Sequence, residues 1–396
     1  MKRVVLLIAA NLLITLLLLE IGLRLFPRLI PHQLLFYFEP VLRGQLAEGR
    51  FPTINDTVAL DRDDGGFPLR IWKPFARVRH NYKDPGTVEI VTMDQFGFCN
   101  PPESANARAP IDIISIGDSL TWCTTVDPKD TWTAKLSDLS HLSTYNLGMG
   151  GVGLYEYLQI YKRYGRPRAP KLVIMNVAET NDLRDAVRYQ DYRKHLGEKD
   201  STQPQRSISL GAIYRDSYVV NLLWSTATYL KMSRADEPNF RYQLVFPEGA
   251  VPFNLQNHDT DEVENARKLV GGELYMDVLG EAIEEFARLA KQDSFTPVLS
   301  YTPSAYTAYA SQVAFEDATL KTVLPRFSQE QRAYYKAKSQ ELGITFVDLT
   351  PALQAVAPKY NTPERLLYFQ SDLHLTQFGH QVVAEKLRDV VSTLVR

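Results

Sequence analysis

The stretch "ISIGDSLTWC" (Ile114–Cys123) decides how the chain is read. Apolar residues run up to Gly117, and Asp118, Ser119 and further polar residues follow, the form of a buried strand that ends in a turn before a helix. Taken alone, a serine at that place caps the helix behind it. Whether Ser119 does more depends on what the rest of the chain brings to the same end of the strand.

Working outward, short apolar runs and amphipathic stretches alternate from Ile111 onward. Ile111–Ile116, Tyr145–Leu147, Lys171–Val177, Pro297–Tyr301 and Ile344–Leu349 read as strands. Trp132–Leu139, Leu154–Tyr164, Glu273–Lys291, Ser328–Leu342 and Gln377–Leu394 read as helices, with Thr376 as the N-cap of the last. Strands alternating with helices predict a parallel sheet with helices on both faces. In such sheets the ligand site lies beyond the carboxyl ends of the strands. Residues from about 183 to 270 break the rhythm and read as an insertion, with "YQDYRKHLGEKDSTQPQRS" (Tyr189–Ser207) as an exposed loop. Residues 27–107 are rich in Pro, aromatics and charge. They contain the extended run "GTVEIVTM" (Gly86–Met93) and a "DQFG" turn (Asp94–Gly97), and read as a β-rich segment packed on the main domain.

The chain has 396 residues, 45% hydrophobic, with a net charge of −2, enough for a sizeable core. It carries no basic run, so nucleic acid is not an expected partner. Its N-terminus departs from the soluble pattern: Lys2 and Arg3 precede an apolar run from Val4 to Leu19 broken only by Asn11 and Thr15, which continues to Phe26 with Glu20 and Arg24. About 20 predominantly apolar residues span a bilayer as a helix, and no A-x-A-like cleavage site follows Leu19. The expectation is an uncleaved anchor over residues 1–26 with a cytoplasmic N-terminus. Residues 27–107 and a main domain over 108–396 then stand outside the cytoplasm, the whole being single-pass in the cell inner membrane.

Four places fall at strand ends or near the C-terminus: Ser119, Gly151 in "NLGMGGVG" (Asn146–Gly153), Asn181 in "NVAETND" (Asn176–Asp182), and Asp372 with His374 in "YFQSDLHLTQFGH". Serine attacks only if a base takes its proton, which His374 can do. A carboxylate fixes the imidazole tautomer, and Asp372 is two residues away. The Ser119 N–H, the Gly151 N–H and the Asn181 amide can supply three donors to an oxyanion. Each has an ordinary alternative: a cap for Ser119, a turn for Gly151, a loop start for Asn181, a solvated carboxylate for Asp372. The other histidines (His32, His80, His141, His195, His258 and His380) are assigned to surface or core. What favours a site is the joint occurrence of all four elements in one order.

In these blocks the chain resembles the SGNH/GDSL hydrolase superfamily: "IGDSLTW", "NLGMGGVG", "ETND" and "SDLHLTQFGH" correspond to its four motifs over about Asp112–Leu394. The order from anchor through "DQFGF" to "GDSLTW" is similar to that of its bacterial membrane-anchored members. The resemblance implies a flavodoxin-like three-layer α/β/α sandwich with a central parallel five-stranded sheet. It makes Ser119 the nucleophile and His374 the base, and gives the oxyanion hole to Ser119, Gly151 and Asn181. Three departures stand out. Glu179 replaces the glycine of G-x-N-D. Ser371 stands where the acid commonly sits, which leaves Asp372 in a D-x-H spacing. Cys99 and Cys123 replace an Arg and a Gly of related anchored members, and in an oxidising compartment this implies a Cys99–Cys123 bridge.

The resemblance implies a serine esterase, and the exocytoplasmic location points to O-acyl groups of surface or secreted polysaccharide. An O-acetyltransferase using the same acyl-enzyme and an inactive carbohydrate-binding protein on the same fold are the alternatives. Gly148, Gly150 and Gly153 also satisfy G-x-G-x-x-G, a weak sign of a dinucleotide site. No metal or cofactor motif accompanies it, and none is expected.

Overall fold

The structure, a computed structural model, describes residues 2–35, 38, 42, 46, 57–60, 62–63, 69–80, 84–102, 110–199, 216–234, 241–254 and 259–395. These fall into two compact units. One comprises residues 1–56 and 199–237, the other residues 57–198 and 238–396.

The larger unit is built on five parallel strands: β1 (Ile113–Gly117), β2 (Thr144–Asn146), β3 (Leu172–Ala178), β4 (Thr296–Thr302) and β5 (Thr345–Asp348). Their order in the sheet is 2-1-3-4-5, the flavodoxin-like arrangement. Every residue of β1 and β3 is buried, as in a sheet covered on both faces. Helix Trp132–Ser140 packs on the C-terminal helix Gln377–Leu394, while Gly280–Asp293 packs on Leu154–Ile160 and Leu320–Leu342. All five expected strands are present within two residues at either end.

Three helical expectations change in detail. The helix from Leu154 widens at Tyr161–Gly165 into a π turn. The stretch expected from Glu273 begins as a 3₁₀ turn at Met276 and becomes α-helical at Gly280. The stretch expected from Ser328 starts at Leu320 and carries Pro325 inside it. The exposed loop expected at Tyr189–Ser207 is corrected over its first part. Residues to Lys199 belong to a helix, Asp182–Lys199, and 200–207 lie outside the described residues. Tyr189 is buried and stacks on Tyr155 with ring centroids 4.0 Å apart, so tertiary packing holds the helix.

The segment before β1 forms two antiparallel pairs, Thr57–Leu60 with Leu69–Trp72 and Arg77–Arg79 with Ile90–Thr92. The "DQFG" turn follows, with Gly97 at φ 85°. Asp94 accepts from the N–H groups of Phe96 (2.8 Å) and Phe98 (3.0 Å), and the Tyr145 hydroxyl of β2 donates to it. Asn100 then acts as a surrogate strand. Its Oδ1 accepts from Asn146 N–H at 2.7 Å and its Nδ2 donates to Asn146 O at 3.0 Å. This pairs one residue of the edge strand, which would otherwise present free ladder groups. Cys99, between these anchors, is joined by a disulfide to Cys123 beyond the Ser119 turn, with Cα atoms 6.0 Å apart.

In the smaller unit, helix Lys2–Leu25 contains a segment, Leu6–Leu25, long and apolar enough to cross a membrane, with mean hydropathy 2.4. A signal sequence near the N-terminus can meet the same measure of length and hydropathy.

Cys99 and Cys123 close a loop with a sequence separation of 24. Replacing both by serine is expected to lower unfolding free energy by about 3 kcal/mol from loop entropy. Urea unfolding of the double variant against wild type measures it, and a midpoint equal to wild type would show that the bridge adds no stability.

Candidate active site

Ser119 sits in the turn that follows β1, partly exposed. Asp118 builds that turn. Its carbonyl accepts from Thr121 N–H (3.1 Å) and Trp122 N–H (2.9 Å), and its Oδ1 accepts from Leu120 N–H (2.9 Å). Burial pushes the Asp118 carboxyl up to about 6, against the Leu120 hydrogen bond. Asp118 is thus a structural member of the turn.

The glycine loop after β2 comes up against this turn. A Cβ at Gly148 would lie 2.7 Å from the Trp122 nitrogen, so only glycine fits there. Gly151 is exposed at φ 76°. Among the described residues, neither the Ser119 nor the Gly151 N–H donates to another protein group.

Asn181 follows β3. Thr180 Oγ1 donates to its Oδ1 at 2.9 Å, and its Nδ2 donates to Asp185 Oδ2 at 3.2 Å. The amide is thereby oriented, and it also bears on the buried Asp118 carboxyl. Glu179, which replaces the glycine of the G-x-N-D pattern the chain resembles, is fully buried. Its carboxylate accepts from Thr307 Oγ1 (2.7 Å), Tyr301 OH (2.9 Å), Ser328 Oγ (3.1 Å) and Ser304 N–H (3.3 Å). The loop carrying Asn181 is therefore tied to the segment after β4, of which Ser304 lines the same cavity.

Asp372 and His374 stand on the loop before the C-terminal helix, whose start is fixed by Thr376 Oγ1 accepting from Phe378 and Gly379 N–H. Between them Leu373 has φ 62°, in the left-handed region that branched residues rarely enter. Asp372 Oδ1 accepts from His374 N–H at 3.1 Å, and its Oδ2 lies 3.4 Å from His374 Nδ1 and accepts from Thr125 Oγ1 at 3.3 Å. A 3.4 Å separation is long for a hydrogen bond. Burial pulls the imidazole down, but the charge and hydrogen bonds of Asp372 outweigh it, so His374 is raised overall.

A cavity of about 460 Å³ at the carboxyl edge of the sheet is lined by Ser119, Gly151, Asn181, Asp372 and His374 together. Arg184, Arg188, Glu262 and Tyr368 complete part of its wall. His80 and Trp122 also line it. His80, assigned by the sequence to surface or core, is corrected to a pocket residue. It lies with its ring 5.6 Å from Trp122, and burial pushes it down to about 4 despite the nearby Asp372 charge, so it is neutral. Nothing around His80 in the sequence marks it; the only pointer is the cysteine pair that ties its segment to the Ser119 turn. His380, by contrast, is a core residue whose Nδ1 accepts from Trp132 N–H at 3.1 Å.

Gly148, Gly150 and Gly153 do not form an open phosphate cradle. The Glu156 carboxylate accepts from Gly153 N–H at 3.1 Å and pairs with Arg62, so a side-chain anion already occupies that helix start. Among the described residues no group of three His, Cys, Asp or Glu side chains could hold a metal ion.

No family model and no curated protein sequence matches the chain. Solved structures do. An acetylxylan esterase, Axe2 from Geobacillus stearothermophilus, is 12% identical over 73% of this chain and 95% of its own, with a TM-score of 0.37. The acetyl xylan esterase AlAXEase is 12% identical over 71% of this chain and 100% of its own, at 0.36. A protein from Desulfitobacterium hafniense DCB-2 assigned to the lipolytic G-D-S-L family is 12% identical over 71% and 99%, at 0.35. The chain resembles SGNH/GDSL hydrolases in its four sequence blocks, and the fold that carries those blocks is the one the resemblance implies.

With His374 as the base of a serine hydrolase, the imidazole must be neutral to accept a proton, so activity is expected to rise with pH through a value above the imidazole's ordinary one. Asp372→Asn is expected to move that limb to lower pH and cut kcat by about 10²–10⁴-fold. A kcat–pH profile of both proteins is the check, and an unmoved limb would remove Asp372 from the role of the base's partner.

Proposed function

We propose that the chain is a serine esterase of the SGNH/GDSL type that works through an acyl-serine intermediate. The observation that carries this reading is the convergence of Ser119, Gly151, Asn181, Asp372 and His374 on one cavity, from four separate loops. In the proposed reaction Ser119 Oγ attacks the ester carbonyl carbon as His374 takes its proton. The oxyanion is held by the Ser119 and Gly151 N–H groups and by Asn181 Nδ2. The tetrahedral intermediate expels the alcohol, which receives the proton from His374. Water, deprotonated by the same imidazole, then releases the acid and regenerates Ser119. Asp372 orients His374 and stabilises its cation.

The proposed organisation is an anchor at 1–26, a β-rich segment at 27–107 and a hydrolase domain at 108–396 with an insertion at about 183–270. Lys2 and Arg3 favour an N-terminus on the cytoplasmic side, which puts the proposed site outside the cytoplasm at the cell inner membrane. The substrate class we assign on that basis is O-acylated extracytoplasmic carbohydrate.

Ser119→Ala is expected to abolish hydrolysis of p-nitrophenyl acetate and of acetylated oligosaccharides, together with labelling by a fluorophosphonate probe. Asn181→Ala is expected to keep the labelling site and lose about 10²–10³-fold in kcat. Hydrolysis persisting at the wild-type rate in Ser119→Ala would refute the assignment.

A further inference from the structure

The helix Tyr218–Arg234 of the smaller unit buries Val219, with Tyr218 and Leu222 partly buried beside it, and turns a second apolar face outward. Val220, Leu223, Trp224, Ala227 and Leu230 recur at three- and four-residue spacings and so share one face. Leu223, Trp224 and Leu230 on that face are 60%, 61% and 42% exposed, while Asn221 and Ser225 on the opposite face are fully buried. Asn221 Nδ2 donates to Ser217 O at 2.8 Å. In water a surface helix turns its apolar stripe inward. In lipid, small and polar residues make the helix contacts and apolar ones face out.

This helix is seated on the end of the first one. The Glu20 carboxylate accepts from Tyr218 N–H (3.1 Å), Val219 N–H (2.9 Å) and Ser217 Oγ (2.9 Å), capping the helix start. Arg24 donates to Glu20 at 2.8 Å and lies 4.9 Å from the Tyr218 ring centroid. Glu20 and Arg24 are the residues at which the apolar run of Lys2–Leu25 takes on charge. The cap therefore stands near the level where a spanning helix leaves the hydrocarbon. Before Glu20, apolar residues of Lys2–Leu25 stand exposed, Leu6, Leu13 and Leu18 being 70%, 69% and 63% exposed.

We propose that Tyr218–Arg234 lies in the interface of a lipid bilayer, with its Val220, Leu223, Trp224, Ala227 and Leu230 face in contact with lipid beside the point where Lys2–Leu25 emerges. The proposal rests on the membrane reading of Lys2–Leu25. Trp224 suits that depth, since indole rings favour the membrane–water boundary. Glu20 there satisfies backbone donors of the second helix where water is scarce.

The test uses the full chain in vesicles of phosphatidylethanolamine and phosphatidylglycerol, with a water-soluble maleimide on both sides. Cys99 and Cys123 are bonded to each other, so one introduced cysteine supplies the reactive thiol. Leu223→Cys and Leu230→Cys are expected to react at least about tenfold more slowly than Glu385→Cys on the exposed face of the C-terminal helix, because the reactive thiolate does not form in lipid. Brominated phosphatidylcholine is expected to quench the emission lost in Trp224→Phe. Leu223→Cys reacting as fast as Glu385→Cys while Leu13→Cys is protected overturns the proposal and leaves the spanning helix standing. Protection without bromine quenching also overturns it, since protein then covers the face. Leu13→Cys reacting at the aqueous rate removes the membrane reading itself and the proposal with it.

Discussion

Backbone contact between two loops sets the spacing of the site. The glycine loop passes so close to the Ser119 turn that Gly148 has no room for a Cβ beside the Thr121–Trp122 peptide. Asn146 holds the two together. Its Oδ1 accepts from Gly148 N–H at 2.8 Å and its Nδ2 donates to Thr121 O at 2.8 Å. With this clamp closed, the amides of Ser119 and Gly151 border one cavity. Asn176 extends the same bracing across the sheet. Its Nδ2 donates to Thr121 Oγ1 at 3.1 Å, while its Oδ1 accepts from Ser300 Oγ (2.9 Å) and Thr302 Oγ1 (2.8 Å). Buried polar groups this fully satisfied hold one geometry, because each alternative leaves a donor or acceptor unpaired.

The Asp372–His374 pair is held by a different device. Asp372 and His374 belong to a single loop, and the left-handed Leu373 between them lets the carboxylate reach both the His374 N–H and its imidazole. Thr125, itself at φ 58°, adds a hydrogen bond to the same carboxylate from the far side of the Ser119 turn. Backbone held away from its ordinary regions by surrounding contacts is common where side-chain aim matters. The disulfide attaches just ahead of this point, so the segment before β1 contributes His80 to the cavity wall while bracing the turn that carries Ser119.

Much of this was legible in the sequence because it is local. Strands β1 to β5 appear as short apolar runs, and the 2-1-3-4-5 order follows once a flavodoxin-like sheet is granted. The N-cap Thr376 and the "DQFG" turn are read from residue type and spacing, since their hydrogen bonds stay within a few residues. The start of one helix at Leu320 and the helical residues Tyr189–Lys199 were not legible in the chain. In both places tertiary contacts outweigh local preference. Glu179 looked like a blemish in a motif, yet it is a buried hub whose partners lie more than a hundred residues downstream.

The element order, the strand-end positions of Ser119, Gly151 and Asn181, and the apolar N-terminal helix can be read along the chain, because each is a matter of periodicity or of near neighbours. That His80 joins the cavity, that Asn100 stands in for a strand beside β2, that Glu179 ties two loops, and that Tyr218–Arg234 leaves Leu223 and Trp224 exposed emerges only on folding. Those depend on which surfaces meet after folding. Burial, and with it the protonation of His80 and His374, is a property of the meeting and not of the residue.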